Sequence, residues 1–444
     1  MANGSVVRPS AEHANVAALE DAYQAMQALS ASDNRSWIYW AEFHGFNRYE
    51  CWHQARIGLP SGPQFPYDLF LPWHRAYLSF FDNVARDHEA DAILPWWDWT
   101  SADSHADGLP AAYTGGGPAL QSGTLPAMSG QPDRRTTRSP DPPDQLPDAA
   151  RIDEILDLTQ FRDFSNQLQD VHDDVHGWVG GDMGSIGTAA FDPVFWAHHA
   201  MIDRIWYLWQ LRHGVNNIPP EYLDLALFPG LTVQQVLDVH ALGYDYATGA
   251  VAAGGEDVPA GVGGADAPGV PDEGDGRNGD GGNSDERVPQ TEGEKYESPP
   301  LKVAALDADL SRADIEFHEV DHAGASYEGR VYLNTPDADA DTPTTSEAGY
   351  AGSYHVFGHG GCLGDPGHCE VRPRRPYDPR PAHPLTKAKK VVIATNAVKR
   401  AIQAGDNTTV TVVPIVEPLP YEDVESRYLE KPVEIGYVLI VTYR

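Results

Sequence analysis

Four stretches in the first half of the chain carry apolar residues at steps of three and four, the spacing of one face of an α-helix. The first follows Ser10, a candidate helix cap, and its apolar positions are Val16, Leu19, Tyr23, Met26 and Leu29. The next two are expected around Pro72 to Ala90 and around Phe161 to Val179. The fourth begins after Asp192, whose side chain can cap a helix that starts with Pro193. Four such helices predict a helical bundle.

The pattern changes after residue 300 to an alternation of apolar and polar residues, which is typical of β-strands. The alternating segments, separated by Pro and Gly turns, are ADIEFHEVDH, SYEGRVYLN, KKVVIATNAV, NTTVTVVPIV and KPVEIGYVLIVTYR. They predict an all-β module, most simply a sandwich. The segment between the two patterns is acidic and rich in Gly and Pro, as flexible linkers are.

These patterns predict an α + β protein of two domains. A mainly α-helical four-helix-bundle domain is expected over residues 1–245, an acidic linker over 246–300 and an all-β sandwich domain over 301–444. Within the first domain, residues 101–148 are too rich in Gly, Pro and Ser for a packed element, so we expect a long surface loop there.

Length and charge narrow the class of protein. The 444 residues, 41% of them hydrophobic, can bury a large core. The net charge of -34 argues against nucleic acid as a partner, because phosphate binding needs the opposite sign of charge. Such an acidic surface suits a halophilic habitat, and an acidic mesophilic protein from a GC-rich genome would show the same composition.

The N-terminal sequence, MANGSVVRPSAEHANV, has neither the basic nor the apolar region of a secretion signal. The chain also holds no run of about 18 apolar residues, the length that a membrane span needs. We therefore expect no membrane association and no signal peptide. A cytoplasmic location, and export by means not visible in this chain, both stay open.

Histidines recur on or next to the predicted helices. In LQDVHDDVHGWVGG, His172 and His176 are four residues apart, so both rings project from one helix face and can reach one metal ion. Zinc hydrolases use a similar pair, but Asp173 stands where their HExxH motif requires Glu, so we discount that class. A single buried histidine is more often a hydrogen-bonded core residue than a ligand, so the further clusters decide the matter.

Two sets of three imidazoles can be assembled from these clusters. The members are His44, His53 and His74 in the first set, and His172, His176 and one of His198 and His199 in the second. Almost no carboxylates accompany them, which disfavours a di-iron site. Sites made of nitrogen ligands alone suit copper that cycles between Cu(I) and Cu(II).

The segments around these histidines resemble those of the type 3 copper proteins, which comprise tyrosinases, catechol oxidases and molluscan hemocyanins. FLPWHRAYLSFF is similar to their first copper signature and DPVFWAHHAMIDRIW to their second, and the likeness extends over residues 10–215. IEFHEVDHAGASYEGRVYLN and GSYHVFGHGGC resemble the β-domain that follows the copper domain in hemocyanins and latent tyrosinases. The resemblance implies two copper ions as cofactor and O2 as co-substrate. It assigns the ligand role to His199 and a neighbouring catalytic role to His198.

The chain departs from the family pattern before the first signature, where the spacing between His53 and His74 is longer than usual. The ligand role of His53 is supported by Cys51. A Cys-x-His at this place resembles the element that forms a thioether to the histidine in fungal tyrosinases and molluscan hemocyanins. A buried unreactive thiol is the alternative.

A second departure concerns Asp173, because many tyrosinases place Asn directly after the first histidine of the second site. Asp173 could accept the proton of a phenol, or it could be a plain helix carboxylate. Monophenol hydroxylation is therefore less firmly implied than diphenol oxidation. Arg75, Asp98 and Asp203 are expected either beside the copper site or in structural ion pairs, and we favour the ion pair for Asp98.

The C-terminal part contributes two further candidates. By the resemblance of SYHVFGHGG, Phe357 is the candidate for a side chain that shields the copper site. Cys362 and Cys369, seven residues apart across a Gly-Pro turn, form a candidate disulfide or, with His359 and His368, a transient metal site.

The resemblance implies a tyrosinase or polyphenol oxidase that uses O2 to oxidise phenols and o-diphenols to o-quinones, latent until the C-terminal domain is released. One alternative is a hemocyanin-like O2 carrier. Another is a catechol oxidase or o-aminophenol oxidase that lacks monophenol hydroxylation. The expected partners are a phenolic small molecule and O2, with a copper-delivery protein or a protease as further candidates.

Overall fold

The computed structural model describes residues 6–44, 68–127, 132–246, 295–303, 306, 310–322, 324–358, 387–405, 407–416 and 433–443. Residues 6–246 are here called the helical region and residues 295–443 the β region. In the described segments, no helix is long and apolar enough to span a lipid bilayer.

The helical region contains four long helices and several short ones. The α-helices are α1 (Val16–Gln27), α2 (Trp37–Ala41), α3 (Phe70–His88), α4 (Ala102–Asp107), α5 (Ala111–Thr114), α6 (Pro118–Gln121), α7 (Ala149–Leu156), α8 (Phe161–Val179) and α9 (Pro193–His213). Helix α3 packs against α1, α8 and α9. The four stretches that show helical periodicity in the sequence are therefore helices in contact.

The ends of these helices follow from local chemistry. Helix α9 starts as predicted, because the Asp192 carboxylate accepts a hydrogen bond from the Val194 amide at 3.0 Å and Pro193 occupies the first position. The predicted cap of the first helix is wrong. Asn15 caps α1 by accepting from the Ala18 amide, whereas Ser10 precedes a separate 3-10 turn.

The prediction of a long surface loop over residues 101–148 is wrong in part. That stretch forms the short helices α4 to α6, and Tyr113, Leu120 and Leu125 are buried in the core of the helical region. The Glu20 carboxylate accepts hydrogen bonds from the Ala119 and Leu120 amides at 3.1 and 3.0 Å, which holds α6 against α1. The Gly and Pro residues delimit these short helices and do not prevent packing.

Two short strands join the ends of the helical region. Strand β1 (Val6–Arg8) pairs in parallel with β6 (Tyr244–Tyr246). The guanidinium of Arg8 is fully buried and lies 3.7 Å from the centroid of the Tyr244 ring. Asp203 accepts hydrogen bonds from the Tyr244 and Tyr246 hydroxyls at 2.7 and 2.5 Å. Arg75 bonds the same carboxylate at 2.5 Å, so Arg75 and Asp203 form a structural ion pair.

The helical region also has two small antiparallel pairs, and the β region is built mainly of strands. The pairs are β2 (Thr124–Leu125) with β3 (Arg134–Arg135) and β4 (Ala226–Phe228) with β5 (Leu231–Thr232). The later strands are β7 (Tyr296–Glu297), β8 (Leu301–Lys302), β9 (Arg312–Val320), β10 (Tyr327–Leu333), β11 (Tyr350–Val356), β12 (Ala388–Ile393), β13 (Asn407–Thr408), β14 (Val410–Ile415) and β15 (Tyr437–Tyr443). They form a four-stranded sheet in the order β11-β10-β14-β7, a three-stranded sheet in the order β12-β9-β15 and the pair β13-β8.

The β region also contains a helix, α10 (Thr395–Ala404), so the prediction of an all-β module is incomplete. Alternation ends at Ile393, and Ala397, Val398 and Ala401 follow at helical spacing and enter the core of the β region. Each region has its own hydrophobic core. Among the described residues, Phe357 is the member of the helical-region core that comes from the β region.

Candidate metal centre

Helices α8 and α9 bring three imidazoles together in the interior. His172 and His176 lie one turn apart on α8, and their Nε2 atoms are 3.2 and 3.3 Å from Nε2 of His199 on α9. All three side chains are fully buried. The predicted spacing on one helix face therefore delivers two ring nitrogens to the same point.

The second ring nitrogen of each of the two α8 histidines, Nδ1, makes a hydrogen bond that fixes the orientation of the ring. Nδ1 of His172 donates to Oδ1 of Asp173 at 2.9 Å, and Nδ1 of His176 donates to the Met183 carbonyl at 2.7 Å. The second bond depends on the turn after α8, where Gly180 and Gly181 have φ of 59° and 57°. A proton on Nδ1 leaves the lone pair of Nε2 directed at the centre, as metal binding requires.

A second group lies next to the first. The ligand atoms of His44, His74 and His199 are all within 4.8 Å of one another. Nδ1 of His74 donates to the Phe70 carbonyl at 2.8 Å, and Nδ1 of His44 donates to the Ile186 carbonyl at 3.2 Å. The His74 ring stacks on His199 with centroids 4.4 Å apart. His53 and Cys51, the remaining predicted members, lie outside the described residues, as do Cys362 and Cys369.

His198 is also buried at this centre, and one of its ring nitrogens lies within 4.8 Å of the ligand atoms of His172, His176 and His199. Its ring stacks on His172 at 5.2 Å and lies 6.4 Å from Trp99. The short distances between Nε2 atoms all converge on His199. The geometry therefore favours His199 as the ligand and leaves His198 packed behind it.

Burial keeps these histidines neutral. Burial and, after it, the nearby His176 lower the pKa of His44 to about 3. Burial and the nearby His74 lower the pKa of His198 to about 3. The pKa values of His74, His176 and His199 are lowered as well, again chiefly by burial. Neutral imidazole is the form that binds metals.

The donor set fits copper. With Nδ1 protonated on His172 and His176, a hydrogen on Nε2 of His199 could serve only one of its two short contacts. The other contact would set two lone pairs against each other, and a cation between the three nitrogens removes that repulsion. A buried, nitrogen-only donor set of this kind suits copper.

Comparison with known proteins identifies the family. The model of the common central domain of tyrosinase matches residues 34–129 and 117–212. A tyrosinase of Streptomyces lincolnensis is 33% identical over 189 residues, which cover 36% of this chain and 67% of that protein. The chain belongs to the tyrosinase family of type 3 copper proteins. Its cofactor is accordingly a binuclear copper centre, and His44, His74, His172, His176 and His199 are candidate donors among the described residues.

The similarity of this tyrosinase-family chain to solved structures extends beyond the residues that match the central domain. A functional unit of octopus hemocyanin has a TM-score of 0.61 and 18% identity, covering 98% of this chain and 99% of that one. A latent aurone synthase, a polyphenol oxidase, has a TM-score of 0.58 and 18% identity, covering 100% of this chain and 90% of that one. At these identities the comparison shows likeness of fold.

The β region reaches the histidines through Phe357. Its ring stacks on His176 with centroids 4.4 Å apart and an interplanar angle of 22°. The same ring lies 6.0 Å from His172 and 6.4 Å from His44. Phe357 is 5% exposed, so its side chain fills the space directly over the candidate ligands.

A lysine that sequence reasoning missed reaches the same helix. Lys390 on β12 is 1% exposed in its side chain, and its ammonium contacts Oδ2 of Asp173 and lies 3.3 Å from Oδ1 of Asp170. The Val391 amide donates to Oδ2 of Asp170 at 3.2 Å. The sequence does contain an indication that Lys390 is buried. In an alternating strand Lys390 shares a face with Ala388 and Val392, which are buried, so an apolar residue is expected at its position.

The charges at this contact are strongly coupled. Burial acts to lower the pKa of Lys390, but Asp173 and Asp170 outweigh it, so the pKa is raised and the side chain stays an ammonium. Burial raises the pKa of Asp170 to about 7, against the effect of Lys390. Asp174, which follows Asp173 on α8, accepts a hydrogen bond from His355 of the β region at 2.7 Å. The interface therefore pairs acidic groups of α8 with basic groups of the β region.

Proposed function

We propose that this protein is a copper oxidase that uses O2 to convert phenolic substrates to o-quinones, and that the β region holds it latent until it is released. The observation that carries the proposal is the buried cluster of neutral imidazoles under the ring of Phe357. The names of its relatives, which include tyrosinases and a polyphenol oxidase, support the same chemistry.

Copper supplies oxygen binding and electron transfer at this centre. The chain's own side chains orient the centre and keep it dry. Phe70 lies 4.9 Å from His172, and Phe195 lies 4.2 Å from His199, so apolar rings exclude water around the ligands. The carbonyls of Phe70, Ile186 and Met183 hold the Nδ1 protons of His74, His44 and His176, respectively.

Asp173 is the proposed proton acceptor. Its Oδ1 holds the Nδ1 proton of His172 and its Oδ2 contacts Lys390, and Asp173 is one of the residues that line the cavity beside Phe357. With the β region removed, Oδ2 would face an incoming phenol hydroxyl. A carboxylate at this point can take the phenol proton, which favours hydroxylation of monophenols as well as oxidation of diphenols.

The position of Phe357 supports the proposal of latency. A phenol must bring its ring to the copper ligands, and that space holds the Phe357 ring. Release of the β region would vacate it. The acidic stretch over 246–300 is the proposed place of cleavage.

An O2 carrier is the second candidate, because the fold of the octopus hemocyanin unit covers nearly the whole chain and Phe357 covers the centre. In an O2 carrier the Phe357 ring would stay over the centre permanently. In a latent enzyme it is removable.

Oxygen consumption by the copper-loaded chain, intact and cut within residues 247–294, tests the proposal with 4-methylcatechol and p-cresol. A latent tyrosinase turns over both substrates after the cut and neither before it. Turnover of the catechol alone would make the protein a catechol oxidase and refute the role of Asp173. Reversible oxygen uptake without turnover in either preparation would establish the carrier.

A further inference from the structure

One short loop supplies a hydrogen-bond acceptor to a histidine of each group of candidate ligands. The Met183 carbonyl accepts from Nδ1 of His176 at 2.7 Å, and the Ile186 carbonyl accepts from Nδ1 of His44 at 3.2 Å. Both carbonyls belong to residues 182–188, here called the support loop, which lies between α8 and α9. Because such acceptors fix the orientation of a metal-binding ring, a displacement of this loop would disturb both groups at once.

The support loop is closed at its base by Asp182 and Thr188, which are both fully buried. The Thr188 hydroxyl donates to the Asp182 carbonyl at 2.8 Å, and the Thr188 amide donates to the Ser185 carbonyl at 3.0 Å. The two carbonyls that face the histidines lie between these ends. The loop is therefore a compact unit, and its position depends on what holds Asp182.

The Asp182 side chain ties the support loop to residues 134–139. Arg134 donates to both carboxylate oxygens, at 2.6 and 2.7 Å, and the Thr137 amide donates to Oδ2 at 2.8 Å. The Asp182 amide in turn donates to the Thr137 carbonyl at 2.9 Å. Charge-assisted bonds from both arms of a guanidinium fix the direction of a carboxylate as well as its distance.

The backbones of the two segments approach closely at Gly181. A Cβ atom at this position would lie 2.4 Å from the Thr137 carbonyl oxygen and 2.9 Å from Cα of Arg138. The φ of Gly181 is 57°, in the left-handed region that favours glycine. The segment over 134–139 is therefore a wall against which the support loop rests, and the Asp182 carboxylate fastens the loop to that wall.

The ion pair is buried on its acidic side. The Asp182 side chain is 0% exposed, and that of Arg134 is 23% exposed. A carboxylate that is buried without its cation carries a large desolvation penalty. Loss of the pair would therefore favour a shift of Asp182 towards water, and the support loop would move with it.

We infer that Arg134 and Asp182 form a positioning pair that holds the support loop in place and thereby sets the copper affinity of both groups of ligands together. In the described structure the pair reaches the ligands through the Met183 and Ile186 carbonyls. The inference concerns the assembly of the copper centre. It applies equally to an oxidase and to an O2 carrier, so it does not depend on the proposed function.

Copper affinity of the intact chain provides the first test. Asp182→Asn keeps the size of the side chain and removes the charge that Arg134 binds. Loss of a group that orients metal ligands typically lowers metal affinity about 10–100-fold. The Cu(I) dissociation constants, measured without oxygen by competition with bicinchoninate, should therefore rise at least about tenfold for both ions.

Asp314→Asn is the matched control, because Asp314 is 1% exposed and Arg312 donates to both of its oxygens at 2.8 and 2.9 Å. This pair lies in the β region. Its loss should lower Tm of the metal-free chain, as Asp182→Asn does, and should leave the copper constants unchanged. Unchanged constants in Asp182→Asn, a change for one ion alone, or an equal change in Asp314→Asn would overturn the inference.

Two milder variants provide a second test that also needs no turnover. Arg134→Lys keeps the charge but loses the two-pronged contact, and Arg134→Gln loses both, while the bonds of Asp182 to Thr137 remain. Since a bound ligand raises Tm according to its affinity, the rise in Tm on adding copper should decrease from the parent chain to Arg134→Lys and further to Arg134→Gln. Equal rises in all three chains would contradict the inference.

Discussion

The ring of Phe357 lies parallel to the imidazole of His176, 4.4 Å away at an angle of 22°. Phe357→Ala in the uncut chain should therefore raise oxygen consumption with 4-methylcatechol at least several fold, because a substrate ring can enter the vacated space. Val398→Ala removes a buried side chain from the core of the β region, away from the copper ligands, and serves as the control. Equal gains in both variants would mean that loosening the β region suffices and that Phe357 is not the shield.

The buried charge of Lys390 should hold the β region in place. Lys390→Met leaves Asp170 and Asp173 buried without their cation, which costs about 3–5 kcal/mol and should weaken docking of the β region. We expect higher activity from the uncut chain and easier separation of the two pieces after the linker is cut. Lys389→Met is the matched control, since Lys389 bonds Glu316 within the β region. The same activity gain in that variant would contradict the role of Lys390.

Copper content distinguishes His199 from His198. His199→Gln removes the nitrogen on which the shortest Nε2 contacts converge, so copper per chain should fall from two towards one or below. His198→Gln should retain both ions, because its ring packs behind the ligands. Copper would be measured by atomic absorption after dialysis. A comparable loss in His198→Gln would mean that the ligand has been assigned to the wrong histidine.

Glu316 should make the stability of the β region depend on pH. Burial acts to raise its pKa, but hydrogen bonds from His318 and Lys389 prevail and lower the pKa to about 2 from 4.5. Because the folded pKa is the lower one, the stabilisation is complete above pH 4.5 and is lost as the pH falls towards 2.

Glu316→Gln should therefore reduce the free energy of unfolding by about 1–3 kcal/mol at pH 7, and the difference from the parent chain should shrink below pH 4.5. Urea unfolding followed by circular dichroism measures it. Glu328→Gln breaks an ion pair with Arg330 whose two side chains are 22% and 26% exposed, and it should cost under about 1 kcal/mol. A pH-independent effect of Glu316→Gln would exclude the ionic explanation.

Intact mass tests the cysteines, which lie outside the described residues. A thioether between Cys51 and His53 and a disulfide between Cys362 and Cys369 each remove two hydrogens. Reduction with a thiol restores the two hydrogens lost in the disulfide, whereas the thioether resists reduction. Cys51→Ser should abolish the loss that resists reduction. A reduced chain with the full sequence mass would mean that Cys51 is a free thiol.

The sequence predicts the parts of this structure that depend on neighbouring residues. Helix α8 begins at Phe161 and ends at Val179, as its periodicity predicts, because helix spacing and capping act within a few residues. The HxxxH spacing likewise places His172 and His176 on one face. The family signatures direct attention to His74 and His199, which the fold brings to the same centre.

The contacts between the two regions could not be derived in this way. Lys390 meets Asp173 across 217 residues of chain, and no local pattern pairs two such positions. Phe357 was located only through resemblance to relatives. Helix α10 was missed for a different reason, since its first residues continue an alternating segment and only Val398 and Ala401 reveal the helical period.

The parallel pairing of β1 with β6 bears on the stability of the proposed cleaved form. Tyr246 is the last described residue before the linker, and Arg8 donates a hydrogen bond to its hydroxyl at 3.1 Å from the opposite end of the helical region. A cut beyond Tyr246, as proposed for activation, would therefore leave the contact between Arg8 and Tyr246 in place. Local unfolding usually starts at chain ends, but here it would have to break the hydrogen bond of the buried Arg8 guanidinium to Tyr246. Unfolding of the proposed cleaved form is accordingly expected to begin elsewhere than at the paired strands β1 and β6.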